Sequence, residues 1–583
     1  MFEHEKTLIQ KEFDQFAADR HLQQALLGWR GLPFSGEWGL ALPFFPVAAA
    51  DPRKSLPVPL HAQNLAEAFA GSLSQIPGIS RVQAVKGYVN LYFSTPYFAK
   101  QLVEEVRRQG NRFGYNQPAG KPVMVEYSNP NTHKPLHVGH LRNMILGGAV
   151  CNLLEASGRN VIRANYIGDI GLHVIKWMCN YETYHQGEEP SADKMRWMSD
   201  IYTEADRRFS DEPGFEEKVR AYFSRWDAQD PDVIALWEKT RAWSMEGMMQ
   251  VYELMGYRFD RIYFESEVED SGKDVVHHLI SSGLAQDGRP ENPVIINLDE
   301  LLGTKEEYRV VVILRSDGSS LYATKEIPLA VMKFEEYGLA ESIYVIDVRQ
   351  SLHMKQMAKV LELMGYPWAS QIHHLAYEIV NLPGNVTMSS RDGTVVLLDD
   401  LVREATERAL SVVREKNPTL PQESMLSIAR EVALGAIKYP MISRENTKIV
   451  TFDWQTALDF EGQSAPYIQY AAVRAKSILR KAAGIEIKDP HYDYLLSTPE
   501  VNLIEKISKL PDEIQRAAKE LKPSLIAVYA YELARIFNDF YNQCKVLGEE
   551  PKIQNARLAL VDAARIALEE VLVILGIKAP QLM

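Results

Sequence analysis

Residues 122–169, PVMVEYSNPNTHKPLHVGHLRNMILGGAVCNLLEASGRNVIRANYIGD, decide the fold that we expect for this chain. Within them PVMVEYS is a short apolar run that predicts a strand, LRNMILGGAVCNLLEAS has the apolar spacing of a helix, and NVIRANYIGD predicts a second strand. A strand, a helix and a strand within about fifty residues indicate a βαβ unit of a parallel sheet. The centre of the predicted fold is therefore a Rossmann-like sheet.

Strand-like runs return at 309–316 (RVVVILRS), 342–349 (SIYVIDVR) and 371–382 (QIHHLAYEIVNL). A charged, helical region rich in aromatic residues, at about 180–290, separates them from the first unit. We therefore predict one α/β domain over 111–400 that carries this region as an insertion.

Two further units flank the predicted sheet. Residues 1–110 combine helical stretches with the alternating run VQAVKGYVNLYFS, which indicates a small α+β domain. Beyond residue 400 the strand patterns end. Apolar residues then recur at helical spacing, which predicts an α-helical bundle over 401–583; the four clearest runs are 425–441, 465–484, 523–544 and 556–576.

The composition limits the class of protein. The net charge is −13, so indiscriminate nucleic-acid binding is not expected, although a local basic surface is still possible. The three cysteines form no CxxC pair, which favours a reducing compartment. We expect a cytoplasmic monomer without a membrane span or a leader peptide.

The loop between the first strand and helix has the residues of a phosphate site. His137 and His140 stand where a helix N-terminus offers unpaired N–H groups and a positive dipole end. Gly139 would let an adenine or ribose approach the backbone, and Lys134 would reach the same phosphates. A tetrapeptide HxGH alone is more often structural, but the strand before it and the helix after it favour nucleotide binding.

The string HVGH resembles the HIGH signature of class I aminoacyl-tRNA synthetases. The longer stretch, EYSNPNTHKPLHVGHLRN, is similar to the form found in arginyl-tRNA synthetases. This resemblance covers nearly the whole chain and is weakest at about 180–290. It implies an arginine–tRNA ligase, which activates L-arginine with ATP to arginyl-adenylate and transfers it to the 3′-terminal ribose of tRNA(Arg), releasing AMP and pyrophosphate.

The resemblance also assigns roles to residues of this loop. It implies that His137 and His140 act on the ATP phosphates in the adenylation transition state. Glu126 and Asn131 would hold arginine. The ATP site would further include Ser128, Asn129, Gly139 and Asn143.

A second class I signature, KMSKS, has a degenerate counterpart in NVTMSSRDGTVVLLDDL (385–401). Met388 and Ser389 match it and would contact ATP. The segment lacks lysine, so Lys134 and Arg391 are expected to supply the positive charge that stabilises the departing pyrophosphate. Without the resemblance, an ordinary Ser-Arg-Asp-Gly turn is the favoured interpretation of this segment.

Arginine selection requires an acid, because a guanidinium is planar and always charged. Tyr322 and Glu326 stand at i and i+4 of a predicted helix, and with Gln350 they resemble the family's arginine pocket. Glu326 departs from the aspartate that is usual there. Each of the three also has an ordinary structural interpretation as a packing aromatic, a solvated acid or a loop cap.

The predicted bundle also resembles an anticodon-binding domain. Tyr467, Tyr470 and Arg474 would offer stacking faces and positive charge to tRNA, although aromatic residues at this spacing often form core. The domain 1–110 resembles the family's added domain that contacts the tRNA elbow. No histidine or cysteine pattern predicts a protein metal site, so Mg²⁺ is expected to arrive with ATP.

Two other functions stay open on the sequence. One is a class I synthetase for glutamate, glutamine or cysteine. The other is a catalytically silent tRNA-binding paralogue, which the lysine-free segment at 387–393 would allow.

Overall fold

The computed structural model describes residues 2–23, 26–32, 37–53, 56–190, 192–319, 321–382, 386–387 and 397–583. The side chains at 138, 322–323, 382 and 386–387 are outside this description. Among the helices that the structure describes, none combines the length and the apolar character that a bilayer crossing requires.

The N-terminal unit is a four-stranded sheet with helices packed against it. The strand order is β1-β2-β4-β3, and every pairing is antiparallel. Lys86 and Gly87 have φ of 49° and 81° in the two-residue β3–β4 turn, a conformation that suits the right-handed twist of a hairpin. Its elements are α1 (Glu3–Asp19), β1 (Arg30–Gly31), β2 (Gly39–Pro43), α2 (Phe45–Ala50), α3 (Val58–Ser72), β3 (Ile79–Val85), β4 (Tyr88–Phe93) and α4 (Thr95–Gln109).

The central unit contains the predicted parallel sheet and two long segments that are inserted between its strands. Its elements are β5 (Ala119–Glu126), α5 (Val138–Ala156), β6 (Arg159–Ile167), α6 (Leu172–Tyr184), α7 (Lys194–Asp211), α8 (Phe215–Asp227), α9 (Pro231–Met255), β7 (Arg261–Phe264), α10 (Glu269–Ser281), β8 (Gln286–Asp287), β9 (Val294–Asn297), α11 (Leu298–Leu302), β10 (Val310–Leu314), α12 (Tyr322–Tyr337), β11 (Glu341–Asp347), α13 (Ser351–Leu363), β12 (Ile372–Tyr377), β13 (Val380–Leu382) and β14 (Val386–Thr387).

Five of these strands form the parallel sheet in the order β12-β11-β5-β6-β7. The chain passes from β5 to β6 on one side and later enters β11 on the other. The carboxyl ends of β5 and β11 therefore meet where the strand order reverses, which is the usual ligand position in open α/β sheets. The predicted Rossmann-like architecture is confirmed.

Two details of the predicted sheet differ in the structure. The run 309–316 contains strand β10, but β10 pairs antiparallel with β9 in a separate three-stranded sheet, so its expected place in the parallel sheet was wrong. Conversely, β7 lies inside the range assigned to the insertion and forms an edge of the parallel sheet. Four residues are too few to show a strand pattern among the surrounding helices.

The C-terminal part is the predicted helical bundle. Its elements are α14 (Leu398–Lys416), α15 (Gln422–Ile442), β15 (Val450–Thr451), α16 (Trp454–Ala457), α17 (Ala465–Lys481), α18 (Thr498–Ser508), α19 (Leu510–Glu520), α20 (Pro523–Gln543) and α21 (Pro551–Ile574).

Buried cations on two helices join the bundle to the sheet domain. Arg142 of α5 is 1% exposed and donates to the carbonyl oxygens of Lys448 (2.8 Å) and Glu445 (3.2 Å). Lys438 of α15 donates to the carbonyl oxygens of Met255 and Gly576, both at 2.7 Å. These bonds pair each buried cation with backbone carbonyl groups inside the protein.

Helix α5 packs closely against its neighbours through a pair of glycines. A Cβ on Gly147 would lie 2.3 Å from the Cβ of Tyr127, and one on Gly148 would lie 2.2 Å from Cε1 of Tyr257. The glycines therefore allow the contact that places the N-terminus of α5 beside the carboxyl end of β5.

We predict that Gly147→Ala lowers the free energy of unfolding by about 1–3 kcal/mol, because the overpacking cost exceeds the better helix propensity of alanine. Gly71 of α3 provides the matched control, since nothing lies within 4 Å of its Cβ position. Gly71→Ala should leave stability unchanged or raise it slightly. Equal effects of the two substitutions in urea denaturation would contradict the packing argument.

Candidate active site

A cavity of about 630 Å³ opens at the carboxyl ends of the sheet strands. Its walls come from the loop after β5, from the ends of β6, β11 and β12, and from the helices α5, α12 and α13. The lining residues are Ser128, Asn129, Asn131, His140, Asn143, Tyr166, Gly168, Glu265, Glu326, Ile346, Asp347, Arg349, Gln350, His353 and Tyr377.

The two predicted phosphate histidines cap α5 with their rings. The backbone N–H of Gly139 donates to Nδ1 of His137 at 3.0 Å, and the N–H of His137 donates to Nδ1 of His140 at 3.3 Å. An Nδ1 that accepts a hydrogen bond carries no proton, so each neutral ring has its proton on Nε2. Both imidazoles are therefore Nε2–H donors, and their centroids are 4.2 Å apart.

Both rings are held neutral. Burial lowers the pKa of His137, and the charge of Lys134 adds to this effect. Burial, followed by the neighbouring His137, lowers the pKa of His140 to about 3. Neutral rings stay hydrogen-bond donors near pH 7 without bringing a full charge to the site.

Gly139 is required by the cap itself. A Cβ at this position would lie 2.6 Å from Cε1 and 2.7 Å from Nδ1 of His137. The sequence predicts that Gly139 lets a nucleotide approach the backbone, and in the structure the His137 ring needs the same space.

Lys134 faces a second cavity, of about 360 Å³, which His137 and His140 also line. Among the side chains that the structure describes, no acid forms an ion pair with Lys134, whose Nζ is 5.6 Å from the ring centroid of Tyr202. Burial, and then the charge of Lys176, lower the pKa of Lys134. An ammonium group that forms no ion pair with a described acid, and that lies beside two N–H donors, is well placed to bind an anionic ligand.

Ser128, Asn129 and Asn143 have their polar groups engaged within the protein. Asn143 accepts from the backbone N–H of Ser128 at 2.6 Å and donates to the carbonyl oxygen of Val345 at 2.8 Å. Asn129, with φ of 47°, accepts from the backbone N–H of Tyr166 at 3.1 Å. These bonds tie the loop after β5 to β11 and β6, so the three residues shape the cavity floor.

Glu126 lies beneath this floor and does not line the cavity. It is 2% exposed and forms an ion pair with Lys333 of α12, which is fully buried. Its Oε1 accepts from Nδ2 of Asn129 at 3.1 Å. Lys333 Nζ also lies 4.3 Å from the ring centroid of Tyr344. The predicted contact between Glu126 and arginine stays a prediction, and its visible role is to anchor Asn129.

The predicted arginine pocket occupies the other end of the same cavity. Glu326 lines it and pairs with Nε2 of His353, while Gln350 lies exposed at the N-terminus of α13. Asn131 forms a parallel bridge with Gly168, where a Cβ would lie 2.3 Å from the Asn131 Oδ1. The side chain of Tyr322 lies outside the described part of the structure, so its prediction is not tested.

Acidic groups surround this end of the cavity. Burial raises the pKa of Tyr166 strongly, and the charges of Glu265, Glu326 and Glu126 raise it further. Glu265 is paired with Lys325 at 2.7 Å. Sequence reasoning missed Glu265 because it follows the unrecognised strand β7.

Asp169 follows β6 and links neighbouring elements of the fold. It is fully buried and accepts from the backbone N–H of Ser266 at 2.9 Å, from the Ser266 hydroxyl at 2.7 Å and from Arg241 at 2.9 Å. These contacts hold helix α9 and the segment after β7 against the sheet.

The KMSKS-like residues Met388, Ser389 and Arg391 lie outside the described residues. The chain after them re-enters the described structure beside the phosphate loop: Leu397 forms an antiparallel bridge with His137, and the N–H of Leu398 donates to the Leu136 carbonyl at 3.2 Å.

Comparisons with known proteins agree with this geometry. A family model described as tRNA synthetases class I (R), catalytic domain, matches residues 102–454, and one described as DALR anticodon binding domain matches 468–583. The arginine–tRNA ligase of Halothermothrix orenii is 33% identical over 522 residues, which are 89% of this chain and 90% of that protein. This chain belongs to the class I arginyl-tRNA synthetases.

Two further comparisons support the family. The arginine–tRNA ligase of Alkaliphilus metalliredigens is 31% identical over 565 residues, 96% of each protein. The solved Thermus thermophilus arginyl-tRNA synthetase is similar to this synthetase with a TM-score of 0.80 and 26% identity, covering 100% of both chains.

The predicted tRNA residues of this synthetase lie on the bundle, away from the cavity residues. Arg474 of α17 lies between two rings, with its guanidinium carbon 4.8 Å from the centroid of Tyr470 and 4.5 Å from that of Tyr541. Lys416 Nζ is 5.4 Å from the Tyr470 ring, whereas Tyr467 packs on Tyr531 at 5.4 Å. Tyr470 and Arg474 thus form a cationic and aromatic surface. Tyr467 instead packs against another aromatic ring, as expected for a core residue.

We predict that Lys333→Met lowers the free energy of unfolding of this synthetase by about 3–5 kcal/mol, because it leaves the Glu126 carboxylate buried without a counter-charge. Adding Glu126→Gln should recover most of the loss. Lys359→Met is the control, since its pair with Glu362 at 2.6 Å lies on the surface and should contribute less than about 1 kcal/mol. Similar losses for the two lysine variants in urea denaturation would contradict the buried pairing.

Proposed function

We propose that this synthetase ligates L-arginine to tRNA(Arg) in two steps at the carboxyl edge of its parallel sheet. The observation that carries the proposal is the position of His140, which lines both the cavity that contains Glu326 and Gln350 and the cavity that contains His137 and Lys134. One imidazole thus lies between an acidic pocket and a phosphate site. Amino-acid activation needs this juxtaposition, because a carboxylate must meet an α-phosphate.

In the first step the arginine carboxylate attacks the α-phosphate of ATP. A carboxylate–phosphorus bond forms as the bond to pyrophosphate breaks, giving arginyl-adenylate. The Nε2–H groups of His137 and His140 would donate to phosphoryl oxygens as negative charge develops, and the Lys134 ammonium would stabilise the leaving pyrophosphate. Neutral donors placed by backbone hydrogen bonds need no rearrangement when the charge appears.

In the second step a hydroxyl of the 3′-terminal ribose of tRNA attacks the carbonyl carbon of the adenylate. AMP leaves, and an ester joins arginine to tRNA. We propose no side chain as a base, since binding and orientation carry most of the rate in such transfers.

Recognition of arginine is proposed for Glu326, Gln350, Asn131 and Tyr322. The Glu326 carboxylate would accept from the guanidinium in the fork geometry that this group favours. Glu126 would act through Asn129, whose amide it orients. Met388 and Ser389 would contact ATP, and Arg391 would join Lys134 in supplying positive charge to the departing pyrophosphate.

The remaining parts of the proposal follow the family. Mg²⁺ would come with the ATP phosphates, whose oxygens are the ligands that this ion prefers. Among the described residues, no three His, Cys, Asp or Glu side chains are grouped as metal ligands would be. The protein would be a cytoplasmic monomer, with 1–110 as a tRNA-contacting domain, 111–400 as the catalytic domain and 401–583 as the anticodon-binding domain.

The test is aminoacylation of purified tRNA with each of the twenty amino acids in turn. We expect arginine alone to be transferred. Transfer of glutamate, glutamine or cysteine would identify a different synthetase, and tRNA binding without any transfer would indicate a silent paralogue.

A second assay, ATP–pyrophosphate exchange, tests the imidazoles. His140→Ala should reduce the rate of ATP–pyrophosphate exchange, measured with tRNA present, by about 10²–10³-fold, as expected for one lost transition-state donor. Because the pKa of His140 is about 3, its neutral form persists above about pH 4, and His140 should add no acidic limb to kcat between pH 6 and 8. Near-normal exchange in the variant would remove His140 from the mechanism.

We also predict that Tyr470→Ala raises the KM for tRNA by about 5- to 150-fold, the range expected for loss of one base–aromatic stack, while kcat at saturating tRNA is kept. Tyr494→Ala is the control, because Tyr494 is an exposed tyrosine (38%) in the segment 492–494, which packs on α4 and α21. An unchanged KM in the Tyr470 variant would exclude this surface from tRNA binding.

A further inference from the structure

The acids at the arginine end of the cavity all have basic partners before any substrate is present. Glu126 pairs with Lys333 and Glu265 with Lys325. Asp347 pairs with Arg349 at 2.8 Å, and Glu326 pairs with His353. The pocket proposed for a guanidinium therefore has its negative charge already balanced. An incoming cation therefore gains a free carboxylate only where the basic side chain that now pairs with that carboxylate loses its own charge.

One of these four pairs differs chemically from the others. Lysine and arginine keep their charge throughout the physiological pH range, whereas an imidazole loses its proton near neutrality. Glu326 and His353 both line the cavity, and their side chains are 22% and 23% exposed. His353 is thus the replaceable counter-charge, and its partner Glu326 is the acid that the family resemblance assigns to the guanidinium.

We propose that His353 is the protonated counter-ion of Glu326 in the free enzyme, and that arginine replaces it, so that binding of arginine releases a proton. The guanidinium takes over the Glu326 carboxylate, and the proton leaves Nε2 of His353 for solvent. His353 is then a positioning residue that keeps the Glu326 side chain in place in the absence of substrate. The inference rests on the proposed function, because it requires arginine in this pocket.

The local electrostatics favour this assignment. Burial works against a charged His353, but the hydrogen bond and the charge of Glu326 outweigh it and raise the pKa of the imidazole. Seven other charged or titratable groups on or beside the packed elements have partners of their own. These are Lys325 of α12 with Glu265, Arg349 with Asp347 after β11, His374 of β12 with the Ile346 carbonyl (3.0 Å), Asp299 of α11 with Thr304 (2.6 Å), Glu300 of α11 with Asn297 (2.9 Å), Tyr377 of β12 with Asn143 (3.3 Å) and His140 with the His137 N–H (3.3 Å).

The direction of the pH effect follows from linkage. When the pH lies below the His353 pKa of the free enzyme but above that of the complex, the free enzyme carries the proton and the complex does not. Arginine binding then expels one proton, and the dissociation constant for arginine rises up to tenfold for each unit of falling pH. Above the free-enzyme pKa the ring is already neutral, so binding becomes independent of pH.

Calorimetric titration of L-arginine into the full-length enzyme measures the released proton directly. The titration is run at several pH values from 6 to 8, each in two buffers of different ionisation enthalpy. We expect up to one proton released at the acidic end and progressively less toward the alkaline end. No release anywhere in this range, or uptake of a proton, would overturn the proposal.

His353→Gln assigns the proton to this residue. Glutamine keeps an N–H donor for Glu326 but cannot titrate, so release should vanish and the dissociation constant should become independent of pH. His373→Gln is the matched control, because His373 forms a His–Glu pair with Glu341 at 3.4 Å, and Glu341 begins β11 at the opposite end of the sheet. This control should release the same proton as the unaltered enzyme, and loss of release there would count against His353.

If the His353→Gln variant does not bind arginine, proton NMR of the unaltered enzyme tests the same point. The imidazole Cε1–H resonance that is missing from that variant's spectrum identifies His353 in the unaltered enzyme, where its pKa should fall on addition of arginine. A pKa that rises or stays constant would refute the exchange of charge.

The two proposals fail in different ways. If aminoacylation with arginine is absent at pH 8, the proposed function is wrong. If aminoacylation proceeds but no proton is released on binding, the function stands and the role of His353 is wrong.

Discussion

Backbone N–H groups at the start of α5 hold both imidazole rings of the phosphate loop through their Nδ1 atoms. The same hydrogen bonds satisfy N–H groups that a helix leaves unpaired, and they fix the tautomer of each ring. Gly139 leaves room for the His137 ring, and the Gly147–Gly148 pair brings α5 close to Tyr127 and Tyr257. The donors of the proposed phosphate site are therefore positioned by the fold before a ligand arrives.

Charge balance is the second constraint on this site. The guanidinium binding that we propose for this sheet edge needs carboxylates. Buried carboxylates without partners, however, would destabilise the fold. Lys325 and Lys333 resolve this conflict because they reach from one helix, α12, to acids at the ends of two different strands. Glu326 stands on the same helix and has a partner that can lose its charge. Structural support and the proposed contact with the substrate are thus divided among neighbouring residues of α12.

Local pattern was sufficient for much of the fold. The apolar run before the HVGH loop and the helical spacing after it predicted β5, α5 and β6, and helical periodicity predicted the bundle. Pattern failed for β7, whose four residues are too short to stand out, and it could not distinguish the sheet of β10 from that of β11. Pairing partners depend on contacts between distant residues, and a strand's own sequence does not specify them.

Within the site, residues that share a contiguous motif were predictable, and residues that meet across the sheet were not. The sequence by itself determined the loop at a helix N-terminus that we propose as the phosphate site, because His137, Gly139 and His140 are local neighbours whose backbone geometry follows from one turn. Only the tertiary structure decided that Glu126 pairs with Lys333, that Glu265 joins the pocket and that His353 faces Glu326. These groups come from separate elements, and charges in a low-dielectric interior interact through distances that only the folded chain sets.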